Sequence, residues 1–365
     1  MNKIKILVDG VSVHIGGIGT ILNDIINKLN KEIFDVTVLF TYDSVYEKEL
    51  IKNGIKIEKI CPLGKNPFKY KRELKQVYEK GHFDYVWINN TGKVNVTIFK
   101  LAKKYGVKTI AHSHGEKQEW STKQKIILGT IERLNQRAFY KNMDIAIACS
   151  DNSAAFFYNP KRMKGKPIHV LDNAVDLEKF AFDMDARKKY REELGCKDKI
   201  AVVAVGRMSV VKNHTLLIEA FNKLKDDDKY KLYIIGRGEL KTELEAKIAE
   251  YHLEDRVVLL GVRSDVPKIL SAFDAYALPS LNEGYCVSLI EGYANGLKCL
   301  VSNTVKRPHY EDNIYLDINN VDEWVNAIKS LNYRKMSDNV DAMIDQGLDL
   351  SCMVKKFEKI LLENM

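Results

Sequence analysis

Ile200-Ala201-Val202-Val203-Ala204-Val205-Gly206-Arg207-Met208-Ser209-Val210-Val211-Lys212-Asn213-His214 runs from an unbroken apolar segment, through a glycine, into a loop carrying two cations. A short apolar run bounded by a glycine predicts a strand buried on both faces, and the segment after it opens a helix. The same alternation extends in both directions. Toward the C-terminus, Lys231–Ile235, Val257–Leu260, Ala275–Leu278 and Lys298–Val301 read as further strands. Toward the N-terminus, Ile4–Val8, Val36–Phe40, Tyr85–Ile88, Thr109–Ala111 and Ile145–Ala148 do the same, with helical spacing over Gly19–Asn30 and Phe68–Lys80 between them. Apolar strands alternating with helices mean parallel sheets covered on both faces, and two such series in tandem mean two doubly wound α/β domains.

The 365 residues suit two such domains better than one core. The expected division is residues 1–172, residues 173–345, and a final segment 346–365 whose helix packs back on the first domain. Asp172–Asp176 and the charged stretch Asp183–Lys199 read as the junction. No apolar run approaches the ~20 residues of a membrane span, and the stretch at the N-terminus is too short for a signal peptide. Six scattered cysteines without metal-ligand spacing read as reduced core thiols of a cytoplasmic protein. The net charge of +8 is unevenly placed. Residues 1–172 carry 29 Lys and Arg against 17 Asp and Glu, so the basic excess lies entirely in the first half. That asymmetry points to an anionic partner there: an acidic membrane face, a pyrophosphate-bearing substrate or nucleic acid.

Ligands of doubly wound sheets sit beyond the carboxyl ends of the strands, so the loops there carry the chemistry. After the first strand, His14-Ile15-Gly16-Gly17-Ile18-Gly19-Thr20 offers glycines and a helix N-terminus to a ligand, although a tight turn alone would read the same way. Arg207 and Lys212, five residues apart at a helix entrance, can grip a diphosphate from two sides. The loop is not a Walker A sequence, so ATP hydrolysis has no support. In Leu278-Pro279-Ser280-Leu281-Asn282-Glu283-Gly284-Tyr285-Cys286-Val287-Ser288-Leu289-Ile290-Glu291, Glu283 lies in the loop and Glu291 inside the following helix. Helix rise separates the two carboxyls by roughly 8–12 Å, wider than the ~5–5.5 Å of a retaining glycosidase pair. Two acids reading opposite ends of one extended ligand fit that spacing better.

These loops together resemble the family-4 retaining glycosyltransferases of GT-B fold, two facing Rossmann-like domains with a cleft between them. The Glu283 and Glu291 spacing is similar to that family's donor-site signature, and Arg207 and Lys212 stand where it carries its diphosphate-binding pair. Tyr233-Ile234-Ile235-Gly236-Arg237-Gly238-Glu239-Leu240 resembles its next strand and glycine turn. Asn173-Ala174-Val175-Asp176 resembles its domain junction, and Gly16-Gly17 its N-terminal glycine loop. Ala111-His112-Ser113-His114 and Ala148-Cys149-Ser150 are most similar to bacterial capsule and exopolysaccharide members.

The resemblance implies that Arg207 and Lys212 neutralise the leaving diphosphate in place of a metal ion. It implies that Glu291 binds the ribose, that Glu283 sits by the donor sugar, and that the amides of Gly284 and Tyr285 hold that sugar's hydroxyls. It places His112, or alternatively His114, across the cleft near the transferred sugar. Gly16, Gly17 and Gly236 would line the donor, and Arg263 would border the base or stand as a surface arginine. The implied reaction moves a hexose or N-acetylhexosamine, with retention, from a UDP-sugar to a lipid-linked polysaccharide precursor. No cofactor or metal is expected. The expected place is the cytoplasm, with the basic first domain as the reason to look for contact with the inner face of the cell membrane. Thr304-Val305-Lys306-Arg307-Pro308 departs from the family's usual glycines and glutamate, which leaves the donor floor open.

Other readings are weaker. Asp183-Met184-Asp185 resembles a metal-binding triplet, but it precedes a helix-like stretch and is better read as an N-cap. A non-catalytic nucleotide-sugar-binding subunit is the functional alternative; the intact set Arg207, Lys212, Glu283 and Glu291 argues against it. Nucleic-acid binding lacks a recognisable module. The segment Trp120–Lys141 places Ile127, Ile131, Leu134 and Ala138 on one face among lysines and arginines. With the basic stretch Phe68–Lys80, it suggests contact with an anionic membrane.

Overall fold

The computed structural model describes residues 3–12, 16–90, 92–114, 122–283, 285–305, 310, 312–333 and 340–365. The chain divides into two compact units, Met1–Asn173 with Ser351–Met365, and Ala174–Leu350.

The first unit is built on β1 (Ile4–Asp9), β2 (Phe34–Phe40), β3 (Lys56–Lys59), β4 (Tyr85–Asn90), β5 (Lys108–Ser113), β6 (Ile145–Ala148) and β7 (Ile168–Val170). They form one sheet in the order β3-β2-β1-β4-β5-β6-β7, parallel throughout. The order reverses direction between β1 and β4, and a doubly wound sheet opens its ligand crevice at that point. Gly10, just beyond β1, has φ +95, and a Cβ there would lie 2.3 Å from the carbonyl oxygen of Asn89 at the end of β4. Only glycine lets these two strand ends approach so closely. The helix Leu350–Glu363 closes the unit: Phe357 packs on Trp87 with ring centroids 4.4 Å apart, and the Tyr85 hydroxyl donates to Leu361 O at 2.9 Å.

The second unit comprises β8 (Ile200–Val205), β9 (Tyr230–Ile235), β10 (Val257–Gly261), β11 (Ala275–Leu278), β12 (Lys298–Ser302) and β13 (Ile314–Leu316). The order is β10-β9-β8-β11-β12-β13, again parallel, with its reversal between β8 and β11. Alternation along β8 divides its apolar run between two cores. Ala201 and Val203 pack with Tyr233, Tyr276 and Ile290, while Ile200, Val202 and Ala204 pack with Leu217, Phe221 and Trp324 on the other face.

Two expectations need correction. The charged stretch 183–199 is no linker but part of the second unit's fold. Asp183 caps the helix Met184–Glu193 by accepting from the amides of Asp185 and Ala186, as an N-cap should. From that helix, Arg187 Nη2 and Arg191 Nη1 reach Asp274 Oδ1 and Oδ2 at 2.6 and 3.0 Å, and Asp274 also accepts from the Ala201 amide at 2.9 Å. The return to the first unit comes at Ser351 rather than at residue 346. Hydrogen bonds from Val175 N to Leu348 O and from Leu350 N to Val175 O, both 3.0 Å, keep residues up to Leu350 with the second unit.

Candidate active site

In the second unit, three loops at the carboxyl edge of the sheet converge around Lys212. The loop after β8 is crossed by the turn after β9: Met208 N donates to Arg237 O at 3.0 Å, and Leu240 N to Met208 O at 3.0 Å. Gly236, at φ +145, approaches so near that a Cβ would lie 1.9 Å from Gly206 O. The loop after β11 is pinned to the same place by the Leu281 amide, which donates to Val211 O at 2.8 Å. Lys212 therefore meets Glu283, with Nζ 2.7 Å from Oε1 and little of either side chain exposed. The contact is a charge-assisted ion pair at hydrogen-bond distance. Lys212 Nζ also lies 3.8 Å from Cys286 Sγ. Burial alone would lower the Lys212 pKa; Cys286 and Glu283 together hold it above the usual lysine range. Burial raises the Cys286 thiol. The site thus holds a fixed ammonium charge, of the sort that meets an anion without a proton leaving.

Arg207 is more open. Its Nη2 and Nε lie 3.0 and 3.1 Å from Glu239 Oε2, at the surface. Glu291 is 9% exposed on the helix Val287–Ala294, which starts directly after Cys286. Tyr285 is half-buried in the preceding loop, and Gly284 lies outside the described residues. Arg263 is held by Asp265 at 2.7 Å and Glu193 at 3.3 Å, with its guanidinium over the Tyr190 ring. The structure thus brings Lys212 to Glu283 and places Gly236 against their loop. Arg263 belongs to a separate ion-pair group.

In the first unit, Gly16 is the N-cap of the helix Gly17–Lys28, and its carbonyl accepts from Thr20 N at 2.9 Å; His14 and Ile15 lie outside the described residues. His112, fully buried on β5, accepts at Nδ1 from Trp87 Nε1 at 3.3 Å. His114 Nε2 lies 2.9 Å from Asn89 Oδ1, and the two imidazole centroids are 3.9 Å apart. Burial, and secondarily His114, pushes the His112 pKa well down; burial pushes that of His114 down to about 3. Burial raises Asp9, at the end of β1, to about 6.

Sequence reasoning passed over Trp87, Asn89, Glu239 and the Arg187–Asp274–Arg191 group. For the first two a signal existed: Trp87 and Asn89 are two apart at the carboxyl end of a strand, so they share a face. Ile127 and Leu134, read as one face of an amphipathic helix, are 61% and 76% exposed on the helix Thr122–Asn142.

Residues 186–343 match the family model "Glycosyl transferases group 1", and residues 15–179 match "Glycosyltransferase Family 4". An Escherichia coli UDP-Gal:alpha-D-GlcNAc-diphosphoundecaprenol alpha-1,3-galactosyltransferase is 30% identical over 313 residues, covering 79% of this chain and 76% of that one. EpsF of Bacillus subtilis (strain 168) is 27% identical over 301 residues, covering 80% and 77%. Among solved structures, Anabaena HepE in complex with UDP and glucose superposes with a TM-score of 0.79 at 20% identity, covering 98% of this chain and 99% of that one. The chain belongs to the family-4, group 1 glycosyltransferases, with the two Rossmann-like domains of the GT-B fold. It is a glycosyltransferase.

Proposed function

We propose that this glycosyltransferase takes a hexose or N-acetylhexosamine from a UDP-sugar and adds it, with retention, to a lipid-linked diphosphate sugar in exopolysaccharide or capsule synthesis. The carrying observation is the ammonium of Lys212, held charged against Glu283 at the carboxyl edge of β8 and β11. A charge fixed there stabilises the negative charge that develops on a departing diphosphate without reorganising. Arg207, five residues earlier and exposed, supplies a second donor once a ligand displaces Glu239. Glu291 receives the ribose, and the reaction needs no divalent metal. The E. coli relative's name specifies a UDP-galactose donor and a diphosphoundecaprenol-linked acceptor, which supports both choices.

The first test is a thermal-shift panel of UDP, GDP, ADP and NAD on wild type and Glu291→Ala. A nucleotide at 100 times its Kd adds about 2.7 kcal/mol to stability. The reading expects UDP to stabilise the wild type and the variant to lose that response. Stabilisation by NAD alone, or by nothing, refutes it. Transfer unaffected by a chelator, and an α-linked product from an α-linked donor, check the metal-free and retaining parts.

An acceptor of this kind lies in a membrane, and two helices of the first unit expose apolar side chains. Ile126, Ile127 and Leu134 stand exposed on the helix Thr122–Asn142, and Phe68 is 88% exposed at the start of the helix Pro67–Gly81. Lys69, Lys71, Arg72, Arg133 and Arg137 are on the same two helices. Apolar side chains among cations suit an anionic bilayer surface. No helix among the described residues is long and apolar enough to cross a membrane. Co-sedimentation with anionic vesicles no greater than with neutral ones would rule this contact out.

A further inference from the structure

The ammonium of Lys212 ends a flexible four-carbon stem, which by itself leaves the charge free to swing. Three contacts remove that freedom. The stem runs across Gly206, where a Cβ would lie 3.1 Å from Lys212 Cε and 3.3 Å from Cδ. Nζ lies 2.7 Å from Glu283 Oε1 and 3.8 Å from Cys286 Sγ. Behind the thiol the polar contacts continue inward. Cys286 Sγ is 3.4 Å from Ser288 Oγ, Ser288 Oγ is 2.7 Å from the hydroxyl of Tyr276, and that hydroxyl is 3.3 Å from Val205 O. Cys286 and Tyr276 are buried. Val205 directly precedes Gly206, so the series closes on the carboxyl end of β8, the place that the lysine stem crosses.

The two ends set the direction of every hydrogen bond between them. An ammonium can only donate and a carbonyl can only accept. Lys212 therefore gives a proton to Sγ, and Tyr276 gives its single phenolic proton to Val205 O. With that proton spent, Tyr276 accepts from Ser288. Ser288, its own proton spent, accepts from the Cys286 thiol, which burial keeps protonated. Four contacts and four protons match one to one. In the reverse order Tyr276 would serve Ser288 and Ser288 would serve Cys286, and the thiol proton would have no acceptor in the series. Bonds that all run one way also polarise one another. We propose that Cys286, Ser288 and Tyr276 are positioning residues for Lys212, a one-way chain of hydrogen bonds that, with Glu283, turns the remaining proton of the ammonium toward the donor diphosphate. The proposal rests on the reading of Lys212 as the group that meets the leaving diphosphate. It adds the three side chains behind the charge and the direction in which they act.

The test uses the full chain at pH 7, with UDP affinity read by calorimetry and the S–H stretch of the thiol read by infrared spectroscopy without ligand. Cys286→Ala should weaken UDP about tenfold. Cys286→Ser, which keeps one donor and one acceptor, should bind within about threefold of wild type. Ser288→Ala and Tyr276→Phe, which keeps the ring in the core, should each weaken UDP about fivefold. Both act through the thiol, so neither should add to Cys286→Ala in a double variant. Losses that multiply instead, to about fiftyfold, mean independent contributions and overturn the chain. Unchanged UDP affinity in Cys286→Ala overturns it as well. The S–H band that Cys286→Ala removes should lie at the low frequency of a donating thiol and rise in Ser288→Ala. A band that does not move means that Ser288 donates to the sulfur, and the proposed direction fails. Wild type that binds no UDP overturns the donor reading, and with it the purpose assigned to the ammonium; the infrared band still decides on the chain itself.

Discussion

Lys212 Nζ lies 2.7 Å from Glu283 Oε1, and both side chains are largely withdrawn from water. Breaking such a pair strands the survivor: Lys212→Ala should lower stability by about 3 kcal/mol and abolish the thermal response to UDP. A paired Lys212→Met, Glu283→Gln variant should recover most of the stability and none of the response. Recovery of UDP binding in the double variant, read by the same melting experiment, would show that the charge is structural only.

Arg207 and Glu239 form the opposite kind of pair, half to two-thirds exposed, and such pairs contribute little to folding. Arg207→Ala should leave the melting temperature essentially unchanged while kcat/KM for transfer falls at least about 100-fold. Glu239→Ala should leave UDP affinity equal or tighter, because it removes a competitor for the guanidinium. A weaker affinity in that variant, by calorimetry, would mean that Glu239 positions Arg207 instead.

Asp274, with no side-chain exposure, is held by Arg187 and Arg191, and Arg191 also donates to the carbonyls of Ala272, Cys196, Lys197 and Lys199. Asp274→Ala leaves two guanidiniums without their anion and should destabilise the second unit by about 3–5 kcal/mol. In urea this unit should then unfold first, while UDP affinity below the transition stays near wild type. A loss under about 1 kcal/mol would contradict a structural role of this size.

Acid should destabilise the protein before its salt bridges titrate. Burial holds His114 near 3 and His214 near 4, and His112 is lowered well below its ordinary value. The unfolded chain protonates these rings near 6.5. Their contribution is therefore complete above that pH and is lost as pH falls toward the folded values. At pH 5 each of His114 and His214 costs roughly 2 kcal/mol. Asp9 acts in the opposite sense: raised to about 6, it takes up its proton in the folded state first and returns roughly 1.4 kcal/mol at pH 5. Three histidines outweigh one aspartate. The melting temperature should fall between pH 7 and pH 5, and a rise over that interval would show that these rings are not held neutral.

The ten strands read from apolar runs are all present, lengthened by a residue or two at several ends. The three that escaped, β3, β7 and β13, lie at or next to the sheet edges and are short; in β3 no residue is buried. An edge strand needs no continuous apolar run, so periodicity carries little trace of it. The Lys212 and Glu283 loops were legible because glycines and cations follow strand ends at fixed positions. Trp87 and Asn89 could be placed on one face of their strand, but their partners could not be read, because these depend on β4 lying beside β5 in register, Asn89 opposite His112. The charged 183–199 stretch misled for a related reason: Arg191 is buried where Asp274 and the Ala272 carbonyl, far along the chain, meet it.

The closing helix Leu350–Glu363 gives the chain an order of assembly. The first unit begins at the N-terminus yet lacks the element bearing Phe357 until all of Ala174–Leu350 has been made. At ~5–20 residues per second, the ribosome needs on the order of ten seconds or more for that stretch. Meanwhile the indole of Trp87 lacks the Phe357 ring that packs on it. The first unit therefore matures last, although its synthesis begins first. A nonsense codon some fifteen residues from the end would spare all of Ala174–Leu350 and still leave the first sheet without the helix that packs on Trp87.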